Sequence, residues 1–213
     1  MADQHVSGPP ESLSRRLGVL ISGRGSNLQA ILDAIASGRL TAAVAVVMAN
    51  RPDAGGLARA QAAGIEAICL DHQAYADRHA YDEALAAELR RREVGVICLA
   101  GFMRKLGPRF IDAFPNRILN IHPSLLPAFP GLHAQRQAIA HGVKVSGATV
   151  HFVTTELDAG PIVLQAAVPV RDEDTEETLS ARILVEEHRI YPEAIRIVLE
   201  GRWSIAGRRF IRT

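Results

Sequence analysis

The residues with the clearest potential for chemistry lie in the stretch from Asn120 to Pro127, which reads Asn-Ile-His-Pro-Ser-Leu-Leu-Pro. The apolar run before it predicts a strand over residues 117–121. Because strand residues two apart share a face, Asn120 and His122 are expected to point the same way. Pro123 has no N–H group and ends the strand. An amide donor and a titratable imidazole are therefore predicted together at the carboxyl end of a strand, where α/β sheets bind ligands.

A second candidate site is the turn at residues 23–27, Gly-Arg-Gly-Ser-Asn, after the first predicted strand. Its two glycines permit a tight turn, and the helix that follows offers free N–H groups and a partial positive charge to a phosphate. The alternative is that Ser26 only caps the helix. A nicotinamide dinucleotide site is disfavoured because a third glycine is missing. The second strand also ends in Asn50 and Arg51 rather than in an acid for the ribose.

The elements that must position these residues alternate between strand and helix from residue 17 to about residue 141. This predicts an α/β fold with a Rossmann-like, mainly parallel twisted sheet and helices on both faces. Strands over residues 146–153 and 162–170 then follow one another, which predicts a C-terminal antiparallel hairpin with a long loop. A helix is expected from Thr175, capped by Asp174 and broken or kinked by Pro192. Residues 203–205 and 208–211 predict a small terminal hairpin.

Composition and charge exclude several classes of protein. The net charge of +1 comes without any block of Lys or Arg, so no nucleic-acid partner is expected, and no apolar run is long enough to span a membrane. Cys69 and Cys98 lie in apolar runs and are predicted to be buried, reduced thiols of a cytoplasmic protein. The histidines have no compact ligand spacing, so no metal is expected. Residues 1–14 predict a disordered leader before a single domain over residues 15–213.

Four motifs resemble those of the phosphoribosylglycinamide formyltransferases, which are folate-dependent enzymes of the formyltransferase family. The motifs occupy residues 21–30, 99–104, 119–127 and 151–158, in the family's order and with similar spacing. The resemblance covers roughly residues 16–205. Related tRNA formyltransferases carry a further C-terminal domain and related deformylases an N-terminal regulatory domain, and this chain is expected to have neither. The resemblance implies the formyltransferase fold.

The resemblance also implies a reaction. The formyl group of 10-formyltetrahydrofolate would pass to the amine of N1-(5-phosphoribosyl)glycinamide in de novo purine (IMP) biosynthesis, giving the N-formyl product and tetrahydrofolate. Asn120 and a protonated His122 would stabilise the oxyanion that forms. Asp158 would favour the charged imidazole and help to move a proton. Spacing alone makes Asp158 an ordinary turn residue, so its role here is implied only by the resemblance.

Binding residues follow from the same matching of motifs. The substrate phosphate and ribose would be bound by Gly25, Ser26, Asn27 and Glu187, although pattern alone places Glu187 on a solvated helix face. The folate would contact Arg78, Met103, Arg104, Lys105, Leu106, Asn120, Thr154, Thr155, Glu156, Leu157 and Asp158. On pattern alone, Phe102 and Met103 are equally good core residues. Two positions depart from the family: Lys105 replaces a common apolar residue, and Leu184 replaces a glutamine found near the phosphate in some members.

Three rival functions stay open from the sequence. Formyltetrahydrofolate deformylase is a hydrolase that would pass the same formyl group to water. A non-catalytic folate- or nucleotide-binding module would have no need of Asn120, His122 and Asp158 together. A nicotinamide-dependent reductase is weakened by the glycine pattern. The expected partners are small-molecule substrates only, with no nucleic acid and no membrane, and the chain is expected to be a monomer or homodimer.

Overall fold

The computed structural model describes residues 6–9 and 13–213, which fall into two compact units. Among the described residues, one unit spans residues 13–119, and the other combines residues 6–9 with residues 120–213. Most of the predicted leader, at residues 1–5 and 10–12, lies outside the described residues. In the described part of the predicted leader, Val6–Ser7 forms strand β1. The single domain over residues 15–213 stays a prediction.

The first unit is a parallel α/β layer, as the alternating pattern predicts. Its strands lie in the order β5-β2-β3-β4 and all pair in parallel. They are β2 (Arg16–Ile21), β3 (Ala43–Ala49), β4 (Ala67–Cys69) and β5 (Val96–Leu99). The helices between and after them are α1 (Ser26–Ala36), α2 (Gly56–Ala62), α3 (Arg78–Arg91) and α4 (Pro108–Ala113).

Apolar burial explains why these strands form. Leu17, Val19, Leu20 and Ile21 in β2 and all four residues of β5 are buried. Neighbouring strand residues point to opposite faces, so a strand buried at every position needs cover on both faces. The predicted long helix over residues 75–91 begins only at Arg78, because the backbone is extended at Tyr75 and Asp77. Asp77 caps α3 by accepting from the Ala80 N–H group at 2.9 Å.

The second unit carries the antiparallel strands. Its strand order is β6-β7-β8-β10-β9-β1, in which β7 and β8, β9 and β10, and β1 and β9 pair antiparallel. The strands are β6 (Ile118–His122), β7 (Val145–Phe152), β8 (Ile162–Pro169), β9 (Trp203–Ala206) and β10 (Arg209–Arg212). The helices are α5 (Ala134–Ala140) and α6 (Glu176–Glu200). The mainly parallel sheet with a C-terminal antiparallel pair is thus confirmed.

Helix α6 differs from its prediction at the cap, and it is not broken at Pro192. The cap is Thr175, whose side chain and that of Thr178 each accept a backbone N–H group of the other residue. Asp174 instead accepts two hydrogen bonds from the guanidinium of Arg182, at 2.7 and 2.8 Å. Pro192 is buried inside the helix, which continues past it to Glu200. Proline has no N–H group to donate to the preceding turn, so α6 lacks one backbone hydrogen bond at Pro192. The helix packs against β7 and β8, and such packing is the main source of helix stability in proteins.

One cysteine prediction is wrong. Cys98 is buried in β5, but Cys69 is exposed at the end of β4, a three-residue strand at the edge of its sheet. An edge strand has cover on fewer sides, so apolar sequence there does not ensure burial. Within the part of the chain that the structure describes, no helix is long and apolar enough to cross a membrane.

Candidate active site

Asn120 and His122 lie at the end of β6, as the alternation of strand residues predicts. Asn120 is half-buried, whereas His122 is only 5% exposed. The His122 Nε2 atom lies 2.9 Å from the carbonyl oxygen of Phe129, which can only accept, so Nε2 carries a hydrogen. His122 Nδ1 lies 3.5 Å from Oδ2 of Asp158. The second nitrogen of the ring therefore faces a carboxylate.

Asp158 reaches His122 from the loop between β7 and β8. Its φ of +50° lies in the left-handed region, which aspartate tolerates better than most residues. Its Oδ2 atom accepts a 2.8 Å hydrogen bond from the Gly131 N–H group. The loop then closes on β7 so tightly that a Cβ at Gly160 would lie 1.9 Å from the Phe152 carbonyl oxygen. These constraints bring a residue 36 positions beyond His122 into its immediate neighbourhood.

The proline-bounded turn after β6 is held by buried hydroxyl groups. Thr149 Oγ1 in β7 donates to the Ser124 carbonyl at 2.7 Å and accepts from the Leu126 N–H group at 3.0 Å. Ser124 Oγ donates to the Ala128 carbonyl at 2.6 Å. Both hydroxyl-bearing residues are fully buried, so these bonds are shielded from water. The turn that presents the Phe129 carbonyl to His122 is thereby fixed to the neighbouring strand.

A buried histidine that the site prediction omitted completes this cluster. His151 in β7 is 2% exposed, and its Nε2 atom lies 3.2 Å from Asn120 Nδ2 and 3.7 Å from Asp158 Oδ1. Its Nδ1 atom lies 2.9 Å from the Phe152 carbonyl oxygen. Burial lowers the pKa of the His151 imidazole, against the opposing influence of the Phe152 carbonyl and Asp158. In the sequence, His151 shares a strand face with Thr149, but that spacing does not mark it as a residue of the site.

The pKa of His151 predicts how stability depends on pH. The pKa of His151 in the folded protein lies below its unfolded value of about 6.5. Between these two pKa values, the unfolded chain binds more protons than the folded protein. The contribution of neutral His151 to the free energy of unfolding is fully present above about pH 6.5 and is lost as the pH falls toward the folded pKa. Urea unfolding at about pH 7.5 and 5.5 should reveal a larger loss of stability in the wild type than in His151→Gln. Equal losses in the two proteins would contradict this prediction.

The predicted phosphate loop lies in the first unit and owes its shape to close backbone contact. Gly25 has a φ of +75° and precedes α1, and no side chain caps this helix, so the alternative of a Ser26 cap is wrong. The Gly56 N–H group donates to the Gly23 carbonyl at 3.0 Å. Arg59 Nε donates to the Arg24 carbonyl at 2.8 Å. The amino end of α1 has no acidic residue in its first turn, which suits an anion.

The predicted folate segment of the first unit combines fixed backbone with exposed side chains. The Met103 N–H group donates to Ser22 Oγ at 2.8 Å, yet the Met103 side chain is 71% exposed, while Phe102 is buried. The Arg104 guanidinium lies 5.1 Å from the Tyr81 ring centroid, a cation–π distance. Leu106 is buried, whereas Lys105 and Arg78 are exposed. Of the two candidate core residues, only Phe102 therefore packs inside.

The remaining predicted binding residues lie in the second unit. Thr154 is half-buried, and the next three residues are exposed, with Leu157 at 58%. Glu187 is only 8% exposed in α6, so the alternative of a solvated helix face is wrong. Leu184, one turn earlier, is half-buried. Among the described residues, no three His, Cys, Asp or Glu side chains form a group able to hold a metal ion.

Comparison with known proteins gives a consistent set of relatives. A family model described as formyl transferase matches residues 15–195. Phosphoribosylglycinamide formyltransferase of Escherichia coli is 50% identical over 184 residues, which cover 86% of this chain and 87% of that protein. Glycinamide ribonucleotide transformylase 1 from Symbiobacterium toebii is 59% identical with a TM-score of 0.92, over 97% of this chain and 99% of the other.

A longer relative covers the same region. The human trifunctional purine biosynthetic protein adenosine-3 is 44% identical over 191 residues, which cover 90% of this chain but only 19% of that protein. The chain therefore matches one part of a multifunctional polypeptide and nearly the full length of the bacterial relatives.

Proposed function

Because this chain belongs to the formyl transferase family, we propose that it transfers the formyl group of 10-formyltetrahydrofolate to N1-(5-phosphoribosyl)glycinamide. The family uses formyltetrahydrofolate as co-substrate. Relatives named for this activity align with nearly the whole chain. The observation that carries the proposal is a cluster of four side chains. Asp158 faces His122, and His151 lies between Asp158 and Asn120. The reaction belongs to purine biosynthesis, which we propose this protein performs in the cytoplasm.

The reaction forms one C–N bond and breaks another. The glycinamide amine attacks the formyl carbon, and the carbonyl oxygen becomes an oxyanion in the tetrahedral intermediate. The bond from that carbon to N10 of the folate then breaks, and a proton from the amine passes to N10. The products are N-formylglycinamide ribonucleotide and tetrahydrofolate, so atoms and charge balance without any oxidant or metal in the scheme.

The cluster offers groups for each stage of this scheme. The Nδ2 amide of Asn120 donates to the oxyanion, and a His122 imidazolium protonated at Nδ1 adds positive charge beside it. Asp158 lies 3.5 Å from that nitrogen and stabilises the positive charge. Because its Oδ2 atom also accepts from Gly131, the carboxylate is fixed while the proton moves. Asp158 and His122 together relay the proton from amine to N10, a general acid–base role.

The binding residues of the proposal follow the predicted sets. The substrate phosphate interacts with the backbone and side chains of Gly25, Ser26 and Asn27 at the amino end of α1. Buried Glu187 interacts with the ribose hydroxyls or the amine. The folate contacts Arg78, Met103 to Leu106, and Thr154 to Asp158. The exposed Met103 and Leu157 side chains offer apolar surface to such a ligand, which supports this part of the proposal.

The competing hydrolase is separated from the transferase by one assay. The purified protein is given 10-formyltetrahydrofolate with and without glycinamide ribonucleotide, and tetrahydrofolate and formate are both measured. We expect tetrahydrofolate to form only when the ribonucleotide is present, with no formate. Formate released at the same rate without the ribonucleotide would make the protein a deformylase and overturn the proposal.

Gly25→Ala tests the proposed phosphate loop. The new Cβ would lie 2.7 Å from Gly56 Cα, and the φ of +75° costs an L-residue about 1–2 kcal/mol. The free loop can relieve this strain by leaving its present shape, and that shape must be restored when the phosphate binds. Since 1.4 kcal/mol is a factor of ten, we expect KM for glycinamide ribonucleotide to rise about tenfold with kcat nearly unchanged. Initial-rate kinetics measure both constants.

Gly38→Ala is the matched control for this prediction. Gly38 has a φ of +73°, and nothing lies within 4 Å of an added Cβ. The substitution therefore imposes similar backbone strain beyond the other end of α1 without a steric contact. It should leave KM for the ribonucleotide unchanged. An equal rise in KM for both variants would trace the effect to general destabilisation rather than to the phosphate loop.

A further inference from the structure

The hydrogen bonds of His151 determine which of its ring nitrogens carries a hydrogen. Nδ1 lies 2.9 Å from the Phe152 carbonyl oxygen, and a carbonyl can only accept. Nδ1 must therefore be the protonated nitrogen. A neutral imidazole has only one N–H group, so Nε2 then presents a lone pair. A group within hydrogen-bond distance of Nε2 must therefore supply a hydrogen, and Asp158 Oδ1, at 3.7 Å, lies beyond that distance.

The group that faces Nε2 is the side-chain amide of Asn120. The Nδ2 atom lies 3.2 Å from His151 Nε2, so one of its two N–H bonds can be donated to the ring. If the amide were reversed, Oδ1 would face the lone pair of Nε2, and two acceptors would oppose one another. His151 is 2% exposed, so water cannot relieve that repulsion. The ring therefore selects one of the two amide orientations.

We propose that His151 is a positioning residue that holds the Asn120 amide with its second N–H group directed at the formyl oxygen. This inference rests on the proposed function and adds to it the part that fixes the oxyanion donor before the reaction begins. A preorganised donor needs no reorientation as charge develops on the oxygen, whereas a freely rotating amide presents its oxygen for part of the time. His151 itself does not contact the reacting atoms.

The surroundings of His151 keep it in the neutral form that this role requires. Burial lowers the pKa of its imidazole, and a positive charge on His122 in β6 lowers it further. Asp158, in the loop after β7, and the Phe152 carbonyl act in the opposite direction, and burial outweighs them. A protonated His151 would carry a hydrogen on Nε2 and favour the reversed amide. The role of His151 is thus lost at acid pH.

The matched pair His151→Met and His151→Gln tests the proposal, because the two side chains have nearly the same size and only glutamine retains a strong acceptor. We expect kcat to fall about 10–100-fold in His151→Met and by less than about tenfold in His151→Gln. Both KM values should stay within about threefold of the wild type. Equal losses of kcat in the two variants would show that the acceptor is irrelevant and overturn the proposal.

A double-mutant cycle with Asn120→Ala separates positioning from general structural support. Once the amide is absent, His151→Met should lower kcat by less than about threefold further. The same fold-loss in both backgrounds would mean that His151 acts independently of Asn120, which contradicts the inference but leaves the proposed function intact. An absence of formyl transfer in the wild type would instead refute the proposed function. If His151→Met does not fold, His151→Leu in both backgrounds gives the same comparison, because leucine also lacks an acceptor.

Discussion

His122→Ala is expected to lower kcat for formyl transfer by about 10²–10³-fold, with KM for both substrates changed far less. The imidazole supplies positive charge beside the oxyanion and a nitrogen that exchanges a proton opposite Asp158, and alanine supplies neither. The ring is buried, and its Nε2 bond to the Phe129 carbonyl is also lost, so some loss of stability will accompany the loss of rate. Steady-state kinetics and a thermal melt of the same preparation separate these effects.

His79→Ala is the control for that substitution. His79 is exposed in α3 and has no part in the proposed chemistry. It should retain wild-type kcat. A folded His122→Ala protein with near-normal kcat would remove His122 from the mechanism.

Asp158→Asn is expected to lower kcat by about 10²-fold or more while leaving KM for the ribonucleotide within about threefold. The substitution removes the negative charge 3.5 Å from His122 Nδ1. It keeps an oxygen that can accept from the Gly131 N–H group, and asparagine also tolerates the left-handed backbone at this position. The chemical effect is therefore largely separated from any effect on folding.

Asp172→Asn provides the same chemical change at a surface position. Asp172 is exposed and forms an ion pair with Lys144. Ion pairs of this kind contribute little to stability, so kcat and KM should both match the wild type. Full activity in Asp158→Asn would show that its charge has no part in the proton relay.

The sequence predicted the parts of this site that depend on local periodicity. Alternation along β6 placed Asn120 and His122 at one strand end, and the glycines of residues 23–27 predicted the tight turn before α1. These features arise from short-range sterics, which a single sequence contains. The parallel pairing of the strands in the first unit followed from the alternation of strands and helices.

The contacts of Asp158 and His151 could not be predicted in this way. Asp158 lies in a long loop that is fixed by a hydrogen bond from Gly131, 27 residues earlier in the chain, and by the close approach of Gly160 to the Phe152 carbonyl. His151 reads as one more buried residue of β7 until the tautomer imposed by the Phe152 carbonyl is known. Long-range hydrogen bonds of this kind depend on tertiary packing.

The burial of individual residues was the other source of error. Cys69 lies in an apolar segment but at a sheet edge, where it is exposed. Glu187 reads as a solvated charge in a polar stretch of α6 but is buried. Composition alone does not reveal which side of an element is covered.

A single-turnover experiment with a carbon-labelled formyl group tests the central claim most directly. Excess enzyme is mixed with labelled 10-formyltetrahydrofolate and glycinamide ribonucleotide, and the label is followed by mass spectrometry in wild type and in Asp158→Asn. The account predicts that the label passes to the glycinamide nitrogen in equal amount to the tetrahydrofolate formed, and that the variant does so about 10²-fold more slowly. Label recovered as formate, or transferred at the same rate by both proteins, would contradict it.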